Sequence, residues 1–266
     1  MTRLEFPEYL EHLRRDSARF RDVLAGCDPA ARVPACPDWD ASDLLWHLAG
    51  VQRFWAGRIR ARPAAPTDAD FAEQPARPTS YDALLTYFDE HSADLVAQLA
   101  ATDPAEPAWS WAPEQTVGFT FRRQAHEALI HRLDAEQAAG QVTALHPALA
   151  ADGVAELLDV MYGGEAPAWG RTDLGDALVR VEMTDVGESL FVRPGTFHGT
   201  DPESGKVHDG PHLMLVEPGE AAALVRGRAA DLDAWLWKRR GADGIEVSGD
   251  RAAYDAMVAA VSEPLD

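Results

Sequence analysis

Four apolar-periodic stretches of about twenty residues, each cut off by prolines, occupy the first half of the chain and limit it to a helical fold. Leu10, Leu13, Phe20 and Leu24 make a helical stripe over roughly residues 5–24, and Pro29, Pro34 and Pro37 end it. A second helix starts at Asp40, a good N-cap that Asp43 supports three residues on. It carries Leu44, Leu45, Leu48, Val51, Phe54 and Trp55 towards Ile59. The third spans about Ser80 to Ala100, with Leu84, Leu85, Phe88, Leu95 and Leu99 as its apolar set. After Pro104, Pro107 and Pro113, the fourth runs from about Phe119 to Ala139 and stops at Gly140, a C-cap. Four helices of similar length are what an antiparallel bundle uses.

The second half has another rhythm. A helix is expected over Ala148–Tyr162, ended by Gly163-Gly164. Strand character follows at Ala177–Met183 and Glu188–Val192, joined by a turn with Asp185 and Gly187. Leu213–Val216 and Ala221–Val225 form a second expected pair around Pro218-Gly219. Leu232–Lys238, Ile245–Val247 and Tyr254–Val261 read as helix, strand and helix. Strands with helices grouped around them predict an α+β domain with a largely antiparallel sheet. The expected domains are 1–146, a helical bundle, and 147–266, a smaller α+β domain covering the cleft. A length of 266 residues suits one large or two modest domains.

Composition narrows the partners. The net charge of −20, with both halves acidic, argues against nucleic acid and against an anionic membrane, since both need clustered cations. No apolar run reaches the roughly 18 residues of a membrane span, and the charged start lacks a signal-peptide core. A cytoplasmic protein, monomer or homodimer, is expected. Cys27 and Cys36 make neither a disulfide framework nor a metal knuckle.

The segment Arg122-Arg-Gln-Ala-His-Glu-Ala-Leu-Ile-His-Arg-Leu-Asp-Ala-Glu136 carries the chemistry. Its His-Glu pair suggests a zinc protease, but His126 and His131 are five apart and point roughly 140° away from each other. Glu127 and His131 are four apart and share a face. A third ligand must come from another helix, and His47, among leucines on the second helix, is the candidate. Two imidazoles and one carboxylate projecting inward from two helices leave an open position, as catalytic metal sites do. Asp43 and Asp134 lie one turn from His47 and His131 and are candidates to orient an imidazole.

A Pro37-Asp-Trp start with a histidine ten residues after the Pro, then His126-Glu-x-x-x-His-Arg-x-Asp-Ala-Glu136, resembles the mycothiol-dependent maleylpyruvate isomerase family. The segment Val225-Arg-Gly-Arg-Ala-Ala-Asp-Leu-Asp-Ala-Trp-Leu-Trp-Lys-Arg239 looks like the strand-then-helix signature of that family's C-terminal domain. The resemblance implies a DinB-like metal-binding four-helix bundle followed by a smaller sterol-carrier-like α+β domain. The family's metal ligands fall on His47, Glu127 and His131. Two departures stand out: the family commonly has Gly where Asp38 stands, and Gly-Arg where Lys238-Arg239 stands.

The implied chemistry is that of a thiol. Mycothiol, a cysteine-containing sugar thiol, would act as co-substrate at the open position of a divalent metal, zinc by default, with nickel, manganese and iron left open. A coordinated thiol is deprotonated, and its thiolate attacks a small electrophile, including an unsaturated carboxylate. Isomerase and S-transferase chemistry share this nucleophile. Arg239, at the end of the tryptophan-bearing helix, is the candidate cation for stabilising an enolate, with Arg240 its neighbour. The alternatives are a metal-dependent hydrolase using activated water, and a non-enzymatic metal- or thiol-binding stress protein. His198, His208 and His212 are expected in a Gly/Asp/Pro loop without function, and His126 in a structural position. Trp109 and Trp111 are expected over the bundle ends or the cleft wall.

Overall fold

The computed structural model describes residues 3–72, 75–263 and 265. The chain divides into two compact units, one of Leu4–Leu145 and one formed by the chain from His146 onward.

In the first unit the long helices are α1 (Phe6–Ala25), α2 (Ala41–Ala61), α4 (Tyr81–Ala100) and α5 (Val117–Ala138), with a short α3 (Asp68–Ala72). α1 packs on α5 and α2 on α4, and the α1–α4 and α2–α5 contacts close the ring. The α1-to-α2 and α4-to-α5 connections therefore run across the bundle. The first holds a hairpin that the proline-rich sequence hides, β1 (Arg32–Val33) paired with β2 (Cys36–Asp40). Proline and short length mask such a strand because neither leaves room for alternation.

Helix ends follow local chemistry. The Asp40 side chain accepts from the Asp43 backbone N–H at 2.9 Å while Asp43 accepts from the Asp40 N–H at 3.1 Å, a reciprocal cap that starts α2. Ser80 caps α4 one way, its Oγ accepting from the Ala83 N–H at 3.2 Å. At the end of α5 Gly140 sits at φ 66°, and Gln141 N–H reaches back to the Glu136 carbonyl, a Schellman closure. Phe20, Leu24, Leu44, Leu45, Leu48, Phe88 and Val33 form the core under the hairpin.

α5 is buried from Val117 to Glu136 although half of its side chains are polar. Its charges are paired inside the unit: Arg132 meets Asp16 at 3.0 Å and Glu136 at 3.1 Å, and Glu136 also meets Arg19 at 2.8 Å. Burying such groups is tolerable only with partners of this kind.

The second unit starts with α6 (Pro147–Glu156), continued by one π-helical turn over Leu157–Met161. A Cβ on Gly163 would overlap the carbonyl oxygens of Leu158 and Leu213, so this turn lies against the sheet only because the residue is glycine. The sheet contains β3 (Gly170–Leu174), β4 (Val179–Met183), β5 (Glu188–Thr200), β6 (Val207–Leu215), β7 (Ala223–Gly227) and β8 (Glu246–Gly249). Its order is β3-β5-β4-β7-β8, with β6 also on β5. Only the β4–β7 pairing is parallel among the described residues. The architecture is a helical N-terminal region followed by an α+β region with a mostly antiparallel sheet. α7 (Ala229–Leu236) and α8 (Arg251–Ala260) complete it.

Two expectations are corrected. The strands around Pro218-Gly219 do not pair with each other: β6 pairs with β5, and β7 lies between β4 and β8. Both faces of that choice are physical, since Ala223 and Val225 align with the buried Val179 and Val181, a register that alternation alone does not reveal. The second correction concerns His198, His208 and His212, which stand on strands, because β5 continues through Pro194-Gly195 into a long hairpin with β6.

The departure at Lys238 also acquires a meaning. Lys238 has φ 63°, and the N–H groups of Lys238 and Arg239 close on the carbonyls of Trp235 and Ala234, so the residue fills the left-handed position after α7 where glycine is favoured. Its Nζ lies over the rings of Tyr162 at 5.4 Å and Trp235 at 5.7 Å, contacts that offset the strain.

Candidate metal centre

The cap at Asp40 sets the phase of α2, so that His47 faces α5. There Glu127 and His131 share one face, a turn apart. Glu127 Oε1 is 3.2 Å from His131 Nε2 and 3.6 Å from His47 Nε2, and one ligand atom from each residue lies within 4.8 Å of the others. Among the described residues this is the one His/Cys/Asp/Glu cluster of metal-holding geometry. His131 is fully buried, the Glu127 side chain is 10% exposed and that of His47 24%, so the cluster opens on the His47 side.

Neighbours hold each group. His131 Nδ1 donates to Asp134 Oδ2 at 3.0 Å, which leaves Nε2 to face the cluster. Arg123 donates to Glu127 Oε2 at 3.0 Å and turns Oε1 towards the histidines. The Trp39 ring lies 4.7 Å from the His47 ring, and the two imidazoles meet edge-on at 4.8 Å. Burial pushes the Glu127 carboxyl up, but His131, His47 and the Arg123 charge outweigh it and hold the group well below the usual carboxylate range. Burial lowers the His131 imidazole, yet Asp134 and Glu127 together raise it.

The donor set fits a divalent ion. Its atoms are two imidazole nitrogens and one carboxylate oxygen, and His47 Nε2 is buried without a hydrogen-bond partner among the described residues. Such an orphan in a polar cluster asks for a partner, and a cation supplies it.

A cavity of about 700 Å³ adjoins His47, between α2 and α4. Trp39, Trp46, Phe54, Trp55 and Tyr87 give it aromatic walls, the composition of a small-molecule site.

The other candidates fall elsewhere. Asp43 accepts from Arg77 at 2.6 Å besides its capping bond and does not serve His47. Asp134 is fully buried on His131, rather than an exposed helix carboxylate. Cys36 is buried in the bundle core. His126 is buried with its ring edge-on to Tyr9. Trp109 stacks on Trp55 at 6.1 Å, whereas Trp111 is half exposed. Arg239 belongs to the second unit, buried, and donates to the carbonyls of Trp237 at 2.9 Å and Leu265 at 2.6 Å. Arg240 pairs with Asp231 at 3.2 Å. His198 lies 3.1 Å from Asp209, and His212 donates to the Gly164 carbonyl at 2.9 Å. Sequence reasoning passed over Arg123, although its spacing of four from Glu127 is the signal of a helical ion pair.

Comparison with known proteins identifies the family. Residues 10–136 match the family model for the mycothiol maleylpyruvate isomerase N-terminal domain, and residues 148–256 match the model for the C-terminal domain of the same family. Among curated protein sequences none matches. Two solved structures share the fold, both crystal structures of the mycothiol-dependent maleylpyruvate isomerase. A histidine-to-alanine mutant of that enzyme superposes with TM-score 0.58 at 16% identity, covering 94% of this chain and 97% of that one. The unmutated enzyme gives 0.57 at 17% identity with the same coverage. With both family models matched in order along the chain, this protein belongs to the mycothiol-dependent maleylpyruvate isomerase family, a family of enzymes.

Proposed function

We propose that this protein is a metal- and mycothiol-dependent isomerase of a small unsaturated carboxylate, with His47, Glu127 and His131 as the metal ligands. The observation that carries the reading is the convergence of three donor atoms from two helices within 4.8 Å, one of them a buried imidazole nitrogen that no hydrogen bond satisfies. Zinc suits two imidazoles and a carboxylate. A divalent ion held by these three side chains would supply Lewis acidity and favour the thiolate form of a thiol beside it.

The chain's own residues prepare that chemistry. Asp134 fixes the tautomer and ring of His131, Arg123 fixes the Glu127 carboxylate, and Trp39 packs on His47. Preset donors of this kind leave no reorganisation for the moment of reaction. The cavity beside His47, of about 700 Å³, is wide enough for the thiol and a small acceptor, and its aromatic side chains offer surfaces for both to pack on. The mycothiol sulfur adds to the activated cis double bond and places the electron pair on the conjugated carbonyl. Rotation about the new single bond and expulsion of the thiolate then give the trans isomer. For Arg239 the hydrogen bonds to Trp237 and Leu265 favour anchoring of the C-terminal segment, and its part in holding an enolate is tested by Arg239→Lys against Arg239→Gln.

The test is absorbance assay of maleylpyruvate with the metal-loaded protein, with and without mycothiol. Conversion to the trans isomer only when mycothiol and metal are both present is expected. Conversion that proceeds equally without mycothiol, or none under any condition, contradicts the reading.

A further inference from the structure

The cavity beside the metal centre holds a cation that the ligand set leaves unused. Arg53 lines it from α2, six residues beyond His47 and about 9 Å along the axis at 1.5 Å per residue. Its Nε is buried without a hydrogen-bond partner, and Arg53 has no carboxylate partner among the described residues. Three carboxylates line the same cavity: Asp43 is engaged with Arg77, Asp70 with Arg58 at 2.6 Å and Thr67, and Asp38 is exposed and makes no ion pair with Arg53 among the described residues. Tyr87 lines the same cavity from α4, and its hydroxyl is likewise buried without a partner. The Tyr87 ring is held by Trp46 at 5.2 Å and His91 at 4.2 Å, so the hydroxyl cannot swing out to solvent cheaply. Burial raises the phenol while the Arg53 charge opposes that shift, which puts the two groups within electrostatic reach.

Two buried donors without acceptors, one cationic and one neutral, lining one cavity are costly unless a ligand completes them. A guanidinium with free N–H groups matches a carboxylate fork. A phenol adds a third donor and no negative charge at neutral pH. We propose that Arg53 and Tyr87 form a carboxylate-binding subsite that positions the acid group of the electrophilic substrate against the metal centre. The proposal rests on the reading of that centre as an isomerase site, and it adds a specificity residue on the bundle itself.

Maleate serves as the probe, titrated calorimetrically into the full-length protein in metal-loaded and chelator-treated forms, with its neutral diamide as control. The wild type is expected to bind maleate and not the diamide. Arg53→Gln should weaken maleate at least ten-fold in both forms, Arg53→Lys should recover part of the loss, and Tyr87→Phe should weaken it by a few-fold. Metal content, melting temperature and mycothiol affinity should stay at wild-type values in all three variants. Unchanged maleate binding in Arg53→Gln, equal binding of the diamide, or an equal loss of mycothiol affinity overturns the proposal. Because the chelator-treated titration needs neither metal nor thiol, failure of the isomerase reading would show separately, as absent metal or absent mycothiol binding.

Discussion

His131 Nδ1 donates to Asp134 Oδ2 at 3.0 Å, and both side chains are fully buried. This one bond decides which imidazole nitrogen faces the cluster, because the other is then spoken for. Asp134→Asn keeps the shape but reduces the pull on the ring. Metal affinity, measured by competition with a chromophoric chelator, should fall about 10–100-fold, the usual effect of losing such an orienting carboxylate. An unchanged affinity would show that His131 is oriented by packing alone.

Two shifted groups give the metal-free protein a defined pH profile. Glu127 is held below its ordinary 4.5, so its contribution is present above that value and lost as pH falls through the lower folded one. His131 is raised above its ordinary 6.5, so its contribution is complete below 6.5 and lost as pH rises through the folded value. Chelator-treated protein should therefore melt highest between about 4.5 and 6.5 and lose stability towards alkaline pH. Metal loading should reverse the alkaline trend, since ligation needs a neutral imidazole. A scan of melting temperature against pH, with and without metal, checks both limbs.

The start of α2 sets the position of His47 through the Asp40–Asp43 cap. Asp40→Ala should cost about 1 kcal/mol by chemical denaturation, the usual loss for a side-chain cap. Metal affinity should weaken with it. A stability loss with unaltered metal binding would mean that the packing of α2 on α4, not its cap, places His47.

Lys238 occupies a left-handed backbone position. Lys238→Ala removes the cation over Tyr162 and Trp235 but keeps the strained backbone, whereas Lys238→Gly also relieves it. The glycine variant should be the more stable of the two by about 1–2 kcal/mol. Equal stability would place the strain elsewhere.

Much of this was legible in the residues because helical signals are local. Ser80, Asp40 and Gly140 mark helix ends by chemistry that operates within four residues, and the spacing of Glu127 and His131 is a property of one helix. The approach of His47 to that pair followed from apolar patterning, since a histidine among Leu44, Leu45 and Leu48 has to face inward. What stayed hidden depends on partners far along the chain. Whether Ala221–Val225 pairs with its neighbour or inserts beside Val179–Met183 is set by the whole sheet. The role of Arg53 and Tyr87 depends on the absence of partners, which no sequence displays. The Lys238 position needed a backbone angle.

In the proposed function His47, Glu127 and His131 hold a metal beside which a thiol binds. Cobalt-substituted protein reports on both at once through visible absorption. About one tightly bound ion per chain is expected, with a thiolate charge-transfer band when mycothiol is added and loss of both in His47→Ala and His131→Ala. Stoichiometric metal retained in both variants, or a spectrum that mycothiol leaves unchanged in the wild type, would contradict it.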